Sequence, residues 1–187
     1  MNLPEHLGGH KNRTHLDEGS LDHCIETLQV KSMLDIGCGP GGMVALARSK
    51  GLKAYGIDGD FEVKRSKKVS KFVTIHDYET GPSSLDVEVD LIWSVEFLEH
   101  VWEKYQDNYM KDFQRGKFVV CTFSEKNGHH HVNIKPESYW IGVFKNYGFS
   151  HDANMTRMIR EVTTLNLTGK FAHKPFVKTH GLFFVRD

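Results

Sequence analysis

Residues 34–42, which read LDIGCGPGG, determine how the rest of the chain is interpreted. Gly37, Gly39 and Gly42 fit the pattern G-x-G-x-x-G, which here lies between an apolar run and a helical pattern. A carboxylic acid, Asp58, ends the next apolar run about 20 residues further along the chain. This context predicts a tight turn between a strand and a helix, where the backbone approaches a ligand closely and Asp58 can accept both hydroxyls of a ribose.

Apolar runs and helical patterns alternate along the chain, which is typical of a mostly parallel sheet with right-handed crossovers and helices on both faces. The predicted strands are 32–36, 53–57, 72–75, 89–93, 117–123 and 181–186. The predicted helices are 21–28 with Ser20 as its cap, 43–49, 96–114, 136–148 and 155–165. Ligands bind at the carboxyl ends of the strands in such a sheet, so we expect the functional residues there.

The composition of the 187 residues excludes several classes of protein. Lys plus Arg and Asp plus Glu number 24 each, and this neutral balance gives no electrostatic footprint for a nucleic-acid binder. The three cysteines form no disulfide framework and the N-terminus has no secretion-signal pattern, so we expect a reduced, cytoplasmic protein. No apolar run is long enough to span a membrane, and we expect no membrane partner.

Two further carboxylates favour S-adenosylmethionine over a dinucleotide as the ligand. Asp35 lies two residues before Gly37, where a carboxylate suits a cationic amino acid and would repel a pyrophosphate. Asp77 ends the third predicted strand, where it can accept a hydrogen bond from an adenine amino group. The chain resembles the class I S-adenosylmethionine-dependent methyltransferases in four motifs, LDIGCGPG at 34–41, GID at 56–58, HDY at 76–78 and VDLIWS at 89–94.

This resemblance implies an α/β, Rossmann-like fold, in which a seven-stranded, mostly parallel sheet has an antiparallel last strand. We expect an N-terminal arm and helix (1–30) on the acceptor side and a cofactor-binding methyltransferase domain (31–187). The implied cofactor contacts are Asp35, Gly37, Cys38, Gly39 and Gly42 at the methionine part, Asp58 and Gly59 at the ribose, Asp77 and Tyr78 at the adenine, and Ser94 and Glu96 beneath the methyl group. Asp60 is interpreted as a helix cap.

Glu96, Glu99 and His100 are spaced i, i+3 and i+4, which places them on one face of the predicted helix 96–114. Two carboxylates and an imidazole at the mouth of a cofactor site make a set of metal ligands. The spacing resembles two metal-assisted branches of the family, the O-methyltransferases of ubiquinone biosynthesis and the terminal-ribose methyltransferases of small RNAs. In the second branch a histidine after the fifth strand completes the site, and His131 is the candidate here.

The same residues also have an interpretation without metal. A histidine can act as a general base, because its pKa lies near neutral pH. His100, His130 and His131 are then the candidate bases, and Glu96 is the fourth candidate catalytic residue. The triple histidine 129–131 is also compatible with a solvated loop that has no chemical role.

We therefore expect an enzyme that transfers a methyl group from S-adenosylmethionine to a small hydroxylated acceptor such as a sugar or polyol, with a divalent metal as a possible second cofactor. A looser similarity to phage-encoded and glycan-cluster methyltransferases agrees with this. One alternative is an RNA ribose methyltransferase, and another is a non-catalytic subunit that binds the cofactor. A run of basic residues could meet RNA phosphates, although such a run is usually a solvated helix face. These residues are Lys64, Arg65, Lys67, Lys68 and Lys71.

Overall fold

A computed structural model describes residues 3–10, 12–164 and 176–187. The strands are β1 Ser32–Ile36, β2 Lys53–Asp58, β3 Val73–Ile75, β4 Val89–Ser94, β5 Gly116–Thr122, β6 Phe149–His151 and β7 Gly181–Arg186. They form one seven-stranded sheet in the order β3-β2-β1-β4-β5-β7-β6. β7 runs antiparallel to β5 and β6, and every other pair is parallel. The predicted class I methyltransferase fold is confirmed.

Helices pack on both faces of the sheet, as predicted. They are α1 Glu18–Leu28, α2 Gly42–Ser49, α3 Lys67–Ser70, α4 Gln106–Phe113, α5 Glu137–Asn146, α6 Ala153–Val162 and α7 Phe176–His180. Successive side chains of a strand point to opposite faces, so Leu34 and Ile92 pack with α4 and α5, whereas Met33 and Leu91 pack with α1, α2, α6 and α7. No helix in the described part of the chain is both long and apolar enough to cross a membrane.

The predicted long helix 96–114 is wrong. The structure has two short 3-10 turns, Leu98–His100 and Glu103–Tyr105, before α4 begins. Glu96 has a left-handed backbone with φ +59°, and Val101 is extended, so the chain cannot hold a continuous helix across them. Glu96, Glu99 and His100 therefore do not lie on a shared helical face.

Smaller differences concern the ends of elements. The side chain of Asp17, and not that of Ser20, caps α1 by accepting a hydrogen bond from the Ser20 amide at 3.0 Å. The edge strand β6 has three residues and was not predicted, because so short a segment shows no period. The predicted helix 155–165 corresponds to α6, and its last residue lies outside the described residues.

Candidate active site

A cavity of about 610 Å³ opens at the carboxyl ends of the parallel strands. This volume is within the usual range for a small-molecule site. The predicted site residues that line it are Asp35, Gly37, Cys38, Gly39, Asp58, Gly59, Asp77, Tyr78, Glu96, His100 and His131. The predicted site residues outside its lining are Gly42, Ser94, Glu99 and His130. The structure therefore brings most of the predicted set together around one space.

The glycine loop between β1 and α2 forms one wall of the cavity. Gly37 and Gly39 have φ values of +78° and +50°, a conformation that favours glycine. A Cβ at Gly37 would lie 2.8 Å from Cδ2 of Phe97, so a side chain there would collide with the loop after β4. The Gly37 amide donates to the Ile57 carbonyl at 2.9 Å, which fixes the loop against the end of β2.

Asp58 is buried at the end of β2, and its carboxylate is already hydrogen-bonded inside the protein. Oδ2 accepts from the Gly39 amide at 2.7 Å, while Oδ1 accepts from the Asp60 amide at 2.9 Å and from Arg65 Nη2 at 3.0 Å. Burial raises the pKa of Asp58, and the two amides, Arg65 and His10 partly offset that rise. The carboxylate is thus held in a fixed orientation beside the glycine loop.

Two other acids lie near Asp58. Asp35 lines the cavity and is buried, and its pKa is raised well above the usual value by burial and then by the nearby charge of Asp58. Asp60 Oδ1 accepts from the amides of Glu62 and Val63 at 2.7 and 3.0 Å, so it caps a turn in the loop after β2. This end of the cavity is rich in carboxylates, which suits a cationic ligand.

The N-terminal arm crosses the mouth of the cavity and is held at both ends of its span. His6 Nε2 lies 3.0 Å from Asp77 Oδ2, and His10 Nε2 lies 2.9 Å from Asp60 Oδ2. Further along, the Gly42 amide donates to Thr14 Oγ1 at 3.0 Å. The arm therefore joins the ends of β2 and β3 to the first turn of α2.

Tyr78, Ser94 and Gly59 have structural partners of their own. Tyr78 donates its hydroxyl hydrogen to Asp112 Oδ2 at 2.7 Å, so only its ring contributes to the wall of the cavity. Ser94 donates to the Ile36 carbonyl at 3.0 Å and links β4 to β1 behind the wall. A Cβ at Gly59 would lie 2.3 Å from Leu7 Cδ2, so the arm packs closely over this glycine.

A cluster of Glu99, His100 and His131 lies after β4 and β5. One possible ligand atom from each residue lies within 4.8 Å of the other two, although the helix that suggested this set is absent. Both Glu99 carboxylate oxygens are buried, and Glu96 is the neighbouring side chain that acts on them. Glu96 and His130 do not belong to the cluster: both have left-handed backbones, and the ring of His130 contacts those of His6 and Trp102.

Burial sets the charge state of His100, and a hydrogen bond sets the orientation of the His131 ring. Burial lowers the pKa of His100 to about 4, so its imidazole is neutral at physiological pH, and burial raises the pKa of Glu99 to about 7. The Lys126 carbonyl accepts a hydrogen bond from His131 Nδ1 at 2.7 Å, which leaves His131 Nε2 as the nitrogen with the lone pair. Both imidazoles can therefore offer a lone pair to a ligand.

The sequence analysis did not find several of these contacts. Arg65 was placed in a solvated basic run, but its side chain is only 6% exposed and contacts Asp58. His6, His10 and Thr14 lie in an irregular arm, and their partners are 28 to 71 residues away in the chain. No local pattern reports such distant contacts, so they become visible only in the folded structure.

The sheet order, the glycine loop and the acids at the ends of β1 to β3 together define a class I methyltransferase that uses S-adenosylmethionine. A family model described as a methyltransferase domain matches residues 15–154, and the chain belongs to that family. No curated protein sequence matches the chain.

Three solved structures illustrate the similarity of the fold. The TehB-like S-adenosylmethionine-dependent methyltransferase of Corynebacterium glutamicum shares 17% identity at a TM-score of 0.61, covering 91% of this chain and 89% of that one. Magnesium protoporphyrin IX methyltransferase of Synechocystis, with bound S-adenosylmethionine, shares 16% at 0.56, covering 83% and 69%. The methyltransferase domain of a bacterial Hen1 protein shares 16% at 0.57, covering 89% and 94%. The TM-scores establish a shared fold. Identities this low leave the methyl acceptor open.

The two histidine–aspartate contacts of the arm lead to a prediction about ligand binding. The double variant His6→Ala/His10→Ala should bind S-adenosylhomocysteine about tenfold more weakly, because the arm loses both attachments beside the cavity. Each hydrogen bond to a charged group contributes about 1.5–3 kcal/mol when buried and less here, where the histidines are partly exposed. Titration calorimetry measures the effect, with His23→Ala on α1 as the control. Wild-type affinity in the double variant would show that the arm does not hold the ligand.

Proposed function

We propose that the protein methylates a hydroxyl group of a small acceptor of the sugar or polyol class. The supporting observation is the division of the cavity into two ends. Carboxylates and glycines lie at the ends of β1 to β3, and the neutral imidazole of His100 lies beyond β4 with His131 beside it. The first end suits a cationic cofactor, and the second suits an uncharged hydroxyl that needs a hydrogen-bond acceptor.

The residues at the first end fit S-adenosylmethionine. When bound, the cofactor supplies a methyl group on a positively charged sulfur. Asp35 is assigned to its ammonium group and the glycine loop to its methionine part, since both line the cavity and the glycines carry no side chain. Asp58 is assigned to the ribose, Asp77 to the adenine amino group and Glu96 to the floor below the methyl group. The opposite charges of Asp35 and the ammonium would offset the burial of that carboxylate.

His100 and His131 are assigned to the acceptor. A neutral imidazole nitrogen accepts the hydroxyl hydrogen and so points an oxygen lone pair towards the methyl group. With a pKa of about 4, however, His100 is a weak base and removes a proton from a hydroxyl inefficiently. The acceptor hydroxyl therefore has to be made more acidic by a group other than the His100 base.

We propose as that means a divalent cation held by Glu99, His100 and His131, in which case the imidazole lone pairs would bind the cation in place of the hydroxyl hydrogen. The donor set fits, since the two histidines offer ring nitrogens and no cation among the described residues offsets the charge of the buried Glu99 carboxylate. A cation there would lower the pKa of an acceptor hydroxyl, and it would give the Glu99 carboxylate an opposite charge. This three-residue set is smaller than the four residues expected from the sequence, because Glu96 lies outside it.

Loss of the Asp58 carboxylate tests the cofactor site. Asp58→Ala should weaken S-adenosylhomocysteine binding by about 1.5–3 kcal/mol, because one charge-assisted hydrogen bond to the ribose is lost. Asp90→Ala is a matched control, since Asp90 Oδ2 also accepts from two amides, those of Lys31 and Ser32, outside the cavity lining. Calorimetry on both variants, with melting temperatures recorded, measures the effect. Unchanged affinity in Asp58→Ala would refute the ribose assignment.

The acceptor class can be tested directly. Purified protein with labelled S-adenosylmethionine should transfer label to members of a pool of sugars and polyols, and mass spectrometry should locate the new methyl on oxygen. Label in RNA instead would support the ribose methyltransferase alternative. Binding of the cofactor without transfer to either pool would support a non-catalytic subunit.

The cation site has its own prediction. Wild-type protein should retain about one equivalent of a divalent metal after dialysis, and Glu99→Gln should lose it, because the charged ligand is removed. Glu103→Gln should keep the metal, since Glu103 is exposed and pairs with Lys135. Elemental analysis measures the metal directly. Metal-free wild-type protein that retains full activity in a chelator would overturn this part of the proposal.

A further inference from the structure

Arg65 bridges the glycine loop and the end of β2 with one guanidinium group. Its Nε donates to the Gly39 carbonyl at 2.9 Å, Nη1 donates to the Asp60 carbonyl at 3.0 Å, and Nη2 donates to Asp58 Oδ1 at 3.0 Å. The side chain is 6% exposed and does not belong to the lining of the cavity. It therefore supports the cavity wall from behind.

These contacts close a ring of hydrogen bonds around one residue, Gly39. The Gly39 amide donates to Asp58 Oδ2 at 2.7 Å, Asp58 Oδ1 accepts from Arg65, and Arg65 donates back to the Gly39 carbonyl. Each member of the ring limits the rotation of the other two. The carboxylate plane and the left-handed turn at Gly39 are consequently set together, although they belong to different strand ends.

Arg65 also supplies a positive charge to the buried groups around the ring. Asp58 is faced by Asp35 from β1, by the thiol of Cys38 from the glycine loop and by His10 from the arm. Among the groups that act on it, Arg65 is the permanently charged cation, and its charge favours the ionised carboxylate. Without that cation, Asp35 and Asp58 would be two neighbouring buried acids with no permanent positive charge beside them.

We propose that Arg65 is a positioning residue, which orients the Asp58 carboxylate and the Gly39 turn for the adenosyl half of the cofactor. The inference rests on the proposed role of Asp58 at the ribose. A planar fork with several donors is needed to reach all three acceptors, whereas the point charge of lysine cannot bond to them in the same geometry. Arginine should therefore not be replaceable by lysine at this position.

The test is S-adenosylhomocysteine binding to Arg65→Lys and Arg65→Gln, measured by calorimetry from pH 5 to pH 8. We expect at least a tenfold rise in the dissociation constant for Arg65→Lys at pH 7.5. In Arg65→Gln the loss of affinity on acidification should begin at higher pH than in wild type, because Asp58 binds a proton more readily without the cation. Arg48→Lys is the matched control, since Arg48 also donates to a backbone carbonyl, that of Ala54 in β2, at 3.0 Å.

The outcomes separate this inference from the proposed function. Weaker binding in Arg65→Lys with wild-type binding in Arg48→Lys, both folded by circular dichroism, supports the inference. Unchanged affinity in Arg65→Lys, or an unshifted pH profile in Arg65→Gln, overturns it even if the wild type binds normally. A ligand-binding loss in Arg65→Lys that Arg48→Lys reproduces would also overturn it, because the effect would then be general destabilisation. Failure of the wild type to bind S-adenosylhomocysteine would instead refute the proposed function.

Discussion

The hydrogen bond from the Gly39 amide to the Asp58 carboxylate joins the turn after β1 to the end of β2, and the cavity depends on it. A buried carboxylate without partners costs several kcal/mol, so Asp58 can stay buried only because amides and Arg65 surround it. The glycine loop, in turn, keeps its shape because Gly37 and Gly39 have positive φ values that favour glycine, and because a Cβ at Gly37 would collide with Phe97. Fold and site are stabilised by the same few groups.

The parts that the sequence predicted correctly are those that impose a local requirement. The spacing of Gly37 and Gly39, and an acid at the end of the following strand, each demand a particular residue type at a particular place. The apolar runs of β1 and β4 are continuous because both faces of those strands are buried, as in other parallel sheets. These signals lie within short segments, and so a single sequence is sufficient to recognise them.

The features that the sequence did not predict depend on contacts between distant segments or on unusual backbone angles. Nothing in the pattern of 96–114 reveals that Glu96 has a positive φ and that Val101 is extended, and these backbone angles break the helix. His131 joins Glu99 and His100 from another loop, so the cluster forms without the helical face that suggested it. Arg65 lies among lysines in the sequence, and only the fold shows that it is the buried member of that run.

The internal hydrogen bonds of Asp58 also limit what it can do for a ligand. A carboxylate offers about four acceptor positions, two on each oxygen. Two donors occupy Oδ1, and one occupies Oδ2, so a single position on Oδ2 is left for a ribose hydroxyl. The sequence suggested that Asp58 could accept both hydroxyls, but the second would have to displace an internal donor or bond to another group of the wall. The Asp58 carboxylate is thus held in one orientation, but it has fewer positions left to accept hydrogen bonds from a ligand. The ring of hydrogen bonds around Gly39 accounts for the fixed orientation.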